Sequence, residues 1–229
     1  MINYGKAFSL WHKESKQTDG DIWHAYTHHN FVEGLRDGSL PQKAYIHYLI
    51  QDYLFLVHFS RAWALAVVKS ETLDEMKLAS ITVDSLVNLE MQHHVDVCAT
   101  YGIEEQVLFD AVELPANLAY TRYVLDAGHS GDLADLLAAL APCIFGYGMI
   151  GARLAENLSE DNPYAEWIKT YASKEYQTVC IKSGELIDKA LERRIGSDFL
   201  ASPRWGRLSE RFAMATRLET GFWDMALNP

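Results

Sequence analysis

Apolar residues recur at three- and four-residue steps along nearly the whole chain, and no segment alternates strictly between apolar and polar with Asn-Gly or Asp-Gly turns at its ends. The pattern predicts an all-α protein. Ser39-Leu40-Pro41 starts a helix with proline in its first turn, and Ile46, Leu49, Ile50, Tyr53, Leu54 and Val57 carry it towards Ser70. Past Tyr53 this segment is apolar on every side, which places it centrally. Thr72-Leu73-Asp74-Glu75 is a capping box that opens a long helix to about Thr100, with Gly102 as its stop. Further helices are predicted over 115–127, 132–157, 163–171, 174–194 and 204–227, the first two separated by Gly128-His129-Ser130-Gly131. Residues 1–38 are expected to form two shorter helices. With no repeat, low-complexity tract or linker, 1–229 reads as one helical-bundle domain.

Composition narrows the picture. Of 229 residues, 49% are hydrophobic and 22% charged, enough apolar material for a large core and too little charge for a disordered chain. With 20 Lys+Arg against 31 Asp+Glu the net charge is -11, which repels phosphate backbones and anionic lipid. Neither nucleic acid nor membrane is an expected partner. Cys98, Cys143 and Cys180 form no C-x-x-C pair and suit reduced thiols in a cytoplasmic protein. The N-terminus has no basic region followed by an apolar run, and long apolar stretches are broken by charge or glycine before about 18 residues. Export and membrane spanning are not expected.

Several features carry candidate chemistry. Gly146-Tyr147-Gly148-Met149-Ile150-Gly151 spells G-x-G-x-x-G, but it lies inside a helical run instead of between a strand and a helix, so its glycines are expected to admit a close neighbour, a helix or a ligand, and not a dinucleotide. Histidines cluster at His24/His28/His29 and His93/His94. Glu90-x-x-His93 has no second copy beyond Asp21-x-x-His24 and Asp126-x-x-His129, so capping or solvated histidines are favoured over a metal site. Asp52 interrupts a face formed by Tyr45, Tyr48, Phe55, Leu56 and Phe59, and Glu219 one formed by Phe212, Ala215, Phe222, Trp223 and Ala226. Each acid is expected to be desolvated, as a paired core group or as a reactive one. Cys143 follows Pro142 in mid-helix with Tyr147 one turn on, a combination that describes a cavity wall. Tyr120 with Tyr123, and Trp167 with Tyr171, are further aromatics at helical spacing.

Taken in order, several segments resemble the TenA family, the thiaminase II or aminopyrimidine aminohydrolase group. They are Phe31-Val32-Glu33-Gly34-Leu35-Arg36-Asp37-Gly38-Ser39-Leu40-Pro41, Tyr48-Leu49-Ile50-Gln51-Asp52-Tyr53-Leu54-Phe55-Leu56-Val57-His58-Phe59, Glu90-Met91 with His94, Ala139-Leu140-Ala141-Pro142-Cys143, Trp167-Ile168-Lys169-Thr170-Tyr171 and Glu219-Thr220-Gly221-Phe222-Trp223-Asp224-Met225-Ala226. The resemblance implies a haem oxygenase-like all-α fold, a homotetramer and no cofactor. It assigns Cys143 as nucleophile in the cysteine branch of the family, Glu219 as proton donor and acceptor at a pyrimidine ring nitrogen, and Asp52 as the acid that orients the aminopyrimidine and the thiol. Tyr120, Tyr147, Tyr171 and Phe222 would line the pocket, with Phe55 where some relatives carry tyrosine. The implied reaction is hydrolytic release of ammonia or thiazole from a 5-substituted 4-amino-2-methylpyrimidine, giving hydroxymethylpyrimidine in thiamin salvage. A metal- or haem-dependent oxygenase of the same fold and a non-catalytic regulator are the alternatives.

Overall fold

The computed structural model describes residues 3–17 and 20–229, which form helices and no strand. They group into two compact units, Met1–Leu40 with Leu137–Thr220 and Pro41–Leu136 with Gly221–Pro229.

In the first unit lie α1 (Lys6–Ser15), α2 (Ile22–Thr27), α3 (Asn30–Asp37), most of α9 (Leu133–Ala155), α10 (Ala165–Ala172), α11 (Lys174–Ile195) and the bulk of α12 (Trp205–Leu227). Helix α1 starts on a borrowed cap, for the Asp188 carboxylate of α11 accepts from Lys6 N at 2.7 Å and Ala7 N at 2.8 Å. Trp11 and Trp23 stack on Phe212 at 5.3 and 5.6 Å between centroids and form part of the core. The conspicuous 31–41 segment proves to be architectural. Glu33 pairs with Arg36 at 2.9 Å and with Arg153 of α9 at 2.8 Å, while the Asn162 amide donates to the last carbonyls of α3, Leu35 at 2.9 Å and Arg36 at 3.0 Å. Gly38 ends α3 at φ 76, a left-handed conformation that favours glycine.

In the second unit lie α4 (Gln42–Lys69), α5 (Leu73–Ser85), a π-helical turn (Leu86–Glu90), α6 (Met91–Thr100), α7 (Glu105–Phe109), α8 (Pro115–Ser130), the first residues of α9 and the last of α12. Helix α4 packs against α5, α6 and α8, the central place its all-round apolarity predicts. Gln51 clips it to the segment leading into α8. Its amide donates to Val112 O at 2.9 Å and its carbonyl accepts from Leu114 N at 3.0 Å, while buried Asn117 donates to Gln51 O at 2.8 Å.

Most predicted helices occur within a few residues of their expected bounds, with four differences. The 72–100 helix is interrupted by the π turn. In its capping box Thr72 accepts from Glu75 N at 3.2 Å, but Glu75 reaches back to Glu71 N at 2.8 Å, one residue before the cap. Residues 1–38 contain three helices instead of two, α7 was not predicted, and α8 continues through Gly128 to stop before Gly131. The glycines of α9 do not break it either. Its length and mean hydropathy of 1.7 would suffice to cross a membrane, and 89% of its most apolar window is buried inside the protein.

Candidate active site

In the first unit, α9 presents Cys143 and, one turn on, Tyr147. Residues 139–142 and 144–148 are buried, yet Cys143 keeps accessible surface. Tyr147 joins an aromatic group in which its ring lies 4.8 Å from Tyr171 and 5.8 Å from Trp167, and Tyr171 lies 4.8 Å from Tyr176. Buried Glu219 of α12 and Cys143 are both electrostatic neighbours of the Tyr26 phenol from α2, as is Tyr171. Four predicted residues, Cys143, Tyr147, Tyr171 and Glu219, thus fall in one part of this unit, together with Tyr26.

The glycine motif explains part of this convergence. A Cβ on Gly146 would lie 2.2 Å from the Tyr26 ring, on Gly148 2.7 Å from Cys180 Sγ, and on Gly151 2.5 Å from the Tyr171 backbone. Each glycine admits a neighbouring segment, as the helical reading of the motif requires.

In the second unit, α4 carries Asp52, which is 6% exposed. Burial pushes its carboxyl up to about 7, opposed by a hydrogen bond from the Tyr48 hydroxyl at 3.3 Å. His94 of α6 approaches the same oxygen with Nδ1 at 3.6 Å, while its Nε2 lies 2.8 Å from Leu49 O. A carbonyl only accepts, so Nε2 carries the proton. Burial lowers the affinity of this imidazole for a second proton, which works against an ion pair with Asp52. Glu90, at the end of the π turn, is also pushed up to about 7, by burial first and then by Asp52. Its residue keeps some accessible surface although protein surrounds the carboxyl. Phe55 lies 5.1 Å from Tyr120 and 5.7 Å from Phe222, and Tyr48 lies 6.2 Å from Phe222, so the remaining predicted wall residues cluster with Asp52's hydroxyl partner.

The histidine motifs resolve locally. Asp21 caps α2 by accepting from His24 N, and His29 caps α3 by accepting from Phe31 N. Among the described residues no three His, Cys, Asp or Glu side chains are placed to hold a metal ion. Cys98 and Cys180 are fully buried, with thiols pushed up to about 12 chiefly by burial.

A model of the TENA/THI-4/PQQC family matches residues 17–229. The chain belongs to that family. It is 39% identical to an uncharacterized protein of Haemophilus influenzae, over 90% of this chain and 94% of the other. It is 36% identical to the aminopyrimidine aminohydrolase of Halalkalibacterium halodurans, over 90% and 91%. A crystal structure from Silicibacter sp., described as a TenA family transcription regulator, superposes with a TM-score of 0.95 at 57% identity, over 99% and 98%. The fold is haem oxygenase-like: a domain of unknown function with that fold from Shewanella denitrificans matches with a TM-score of 0.69 at 12% identity, over 94% and 91%.

Within the family frame, reasoning from sequence missed Tyr26 and the placement of His94 beside Asp52. Gly146 was the available signal for the first, since a mid-helix glycine requires a close neighbour, but it does not say which segment supplies one.

Proposed function

We propose that the chain hydrolyses a 5-substituted 4-amino-2-methylpyrimidine, releasing ammonia or thiazole and giving hydroxymethylpyrimidine. The observation that carries this reading is an accessible thiol, Cys143, in an otherwise buried stretch of helix, grouped with the buried acid Glu219 in a chain of this family. Relatives named aminopyrimidine aminohydrolase, from Halalkalibacterium halodurans and Helicobacter pylori, agree with it.

Displacement at the 5-methylene is slow because the aromatic ring does not assist it. In the proposed path the Cys143 thiolate adds to an electron-poor ring carbon while Glu219 gives its proton to a ring nitrogen. The carbon–sulfur bond breaks aromaticity, and the nitrogen's electron pair expels the leaving group, forming an exocyclic methylene. Water adds to that carbon and gives up one proton, to the released ammonia or, when thiazole leaves, to solvent. Glu219 takes its proton back, the thiolate departs and aromaticity returns. The family resemblance gives Asp52 the part of an acid in this reaction, and its carboxyl, pushed up to about 7, suits a group that exchanges a proton near neutral pH. Tyr147 and Tyr171 supply flat aromatic surface for the ring.

The test is incubation of the purified protein with aminomethylpyrimidine and, separately, with thiamine, assaying hydroxymethylpyrimidine by chromatography. Turnover of neither substrate would end the reading. Glu219→Gln is expected to lose at least about a hundredfold in kcat, because an amide cannot donate the ring proton.

We also propose a homotetramer. Val68, Leu73, Ile81, Leu89, Phe109 and Val112 are large apolar side chains exposed on the second unit, and self-association would remove them from water. Light scattering after size exclusion is expected to give the mass of four chains; a monomer at micromolar concentration would refute this.

A further inference from the structure

Gln177 of α11 has no part in the reaction as written above, yet it is hydrogen-bonded to the backbone at Tyr171 and beside Tyr147. We propose that Gln177 is the positioning residue for the aromatic wall of the site: its amide ties Tyr171 to α9 next to Tyr147 and so fixes where the two phenol rings stand against the pyrimidine. The inference deepens the proposed function and rests on it for the identity of the ring that the wall receives.

The geometry begins with a sharp corner. Ser173 alone joins α10 to α11, and its hydroxyl caps α11 by accepting from Tyr176 N at 3.1 Å. Tyr171 lies in the last turn of α10, where backbone carbonyls have no partner within the helix. Gln177 reaches back across the corner to supply one, its Nε2 donating to Tyr171 O at 2.9 Å. The same nitrogen donates to Gly148 O of α9 at 3.0 Å. A side-chain amide carries two protons on its nitrogen and a carbonyl only accepts, so these bonds use both protons and turn Oε1 to Tyr4, whose hydroxyl donates to it. Flipping the amide would set its oxygen against two carbonyl oxygens. One orientation satisfies all three neighbours.

The glycines of α9 make this reach possible. A Cβ on Gly151 would lie 2.5 Å from the Tyr171 carbonyl carbon and 2.6 Å from its Cβ, and one on Gly148 would lie 3.1 Å from the Tyr4 hydroxyl. Helix α9 and the end of α10 are therefore in direct contact, and the 4.8 Å between the Tyr147 and Tyr171 ring centroids depends on that contact being kept. The residue before Gln177 acts on the same two helices. The Tyr176 hydroxyl donates to Ile144 O at 3.3 Å, and its ring meets Tyr171 edge-on at 4.8 Å. Tyr176 thus touches the Tyr171 ring, while Gln177 holds the backbone from which that ring projects.

Gln177→Met keeps the length of the side chain and removes all three bonds. In protein carrying 3-fluorotyrosine, the signals of Tyr147 and Tyr171 are identified by their absence in Tyr147→Phe and Tyr171→Phe. Both are expected to shift in Gln177→Met, that of Tyr171 the more, since its own carbonyl loses a donor. With aminomethylpyrimidine as substrate, KM is expected to rise about threefold to tenfold, the scale of one aromatic contact. The value of kcat should stay within about threefold, because a wall that touches ground and transition states alike sets binding and not the chemical step. In a Tyr171→Ala background the same substitution is expected to change KM by less than about twofold, since the ring it acts through is gone.

An unmoved Tyr171 signal in Gln177→Met would overturn the proposal whatever KM does, and so would a rise in KM that persists undiminished without the Tyr171 ring. The fluorine readout needs no substrate, so a wild-type protein that turned over no aminopyrimidine would end the proposed function and leave the positioning of Tyr171 to be decided by the spectrum alone. Gln177→Glu is the second variant. It keeps the shape and the acceptor for Tyr4, but an ionised carboxylate has no proton for either carbonyl, and the same displacement of the Tyr171 signal is expected at pH 8. Failure of both variants to melt cooperatively would also overturn the proposal, since the amide would then serve the fold and not the wall.

Discussion

Cys143→Ala is expected to lower turnover of an aminopyrimidine by at least about a thousandfold while leaving the circular dichroism spectrum and melting temperature nearly unchanged. The rate should collapse because no other group can make the carbon–sulfur bond that releases the ring's electrons, and losing a covalent nucleophile removes a whole pathway. The fold should survive because Cys143 keeps accessible surface, so little packing is lost. Selective chemistry supplies an independent check. Cys98 and Cys180 are fully buried and their thiols are pushed up to about 12. Brief alkylation of the native protein should therefore add a single adduct, located by mass spectrometry on Cys143 and absent from the variant. Turnover near the wild-type rate in Cys143→Ala would refute the nucleophile assignment.

Asp52→Asn should act in opposite directions on activity and stability. Its carboxyl rises from 3.8 to about 7 on folding, so between those values the folded chain holds a proton that the unfolded chain has released. Stability from this group is greatest below pH 3.8, falls as pH rises through the window, and is flat above pH 7 at a cost of roughly 4 kcal/mol. The substitution removes that cost and also relieves Glu90, whose carboxyl Asp52 helps to push up. At pH 8 the variant is expected to be more stable by about 2–4 kcal/mol, or about 5–10 °C in a chain of this size, with a smaller gain at pH 5. If Asp52 has the part proposed for it, activity should meanwhile drop by at least about a hundredfold, since an amide cannot exchange a proton near neutral pH. Thermal melts at the two pH values with parallel assays check both halves. A variant that is less stable than wild type at pH 8 would show that the charged carboxylate is held by its surroundings instead of penalised by them.

Reading from sequence singled out Asp52 and Glu219 together as acids expected to be desolvated. Each is an acid on an aromatic helical face, and both are buried. That reading needs only the three- and four-residue repeat of a helix, a property of neighbouring residues. The same local rule placed α4 at the centre of its unit, set most helix bounds within a few residues, and showed that the G-x-G-x-x-G of α9 admits close packing. It also made the 31–41 segment conspicuous, though not as architecture: Glu33 is held by Arg153, far along the chain.

What the local rule could not supply is the partner at each close approach. Gly146 announces a neighbour, but that Tyr26 fills the space depends on how α2 lies on α9, which no spacing within either helix encodes. The π turn at Leu86–Glu90 rotates α6 relative to α5, and in the tertiary structure His94 meets Asp52 and Leu49 O instead of solvent. Helical periodicity depends on backbone geometry repeated every few residues and is written into the amino-acid order itself. Pairing across helices depends on the packing of surfaces contributed by distant segments, and only the folded chain decides it.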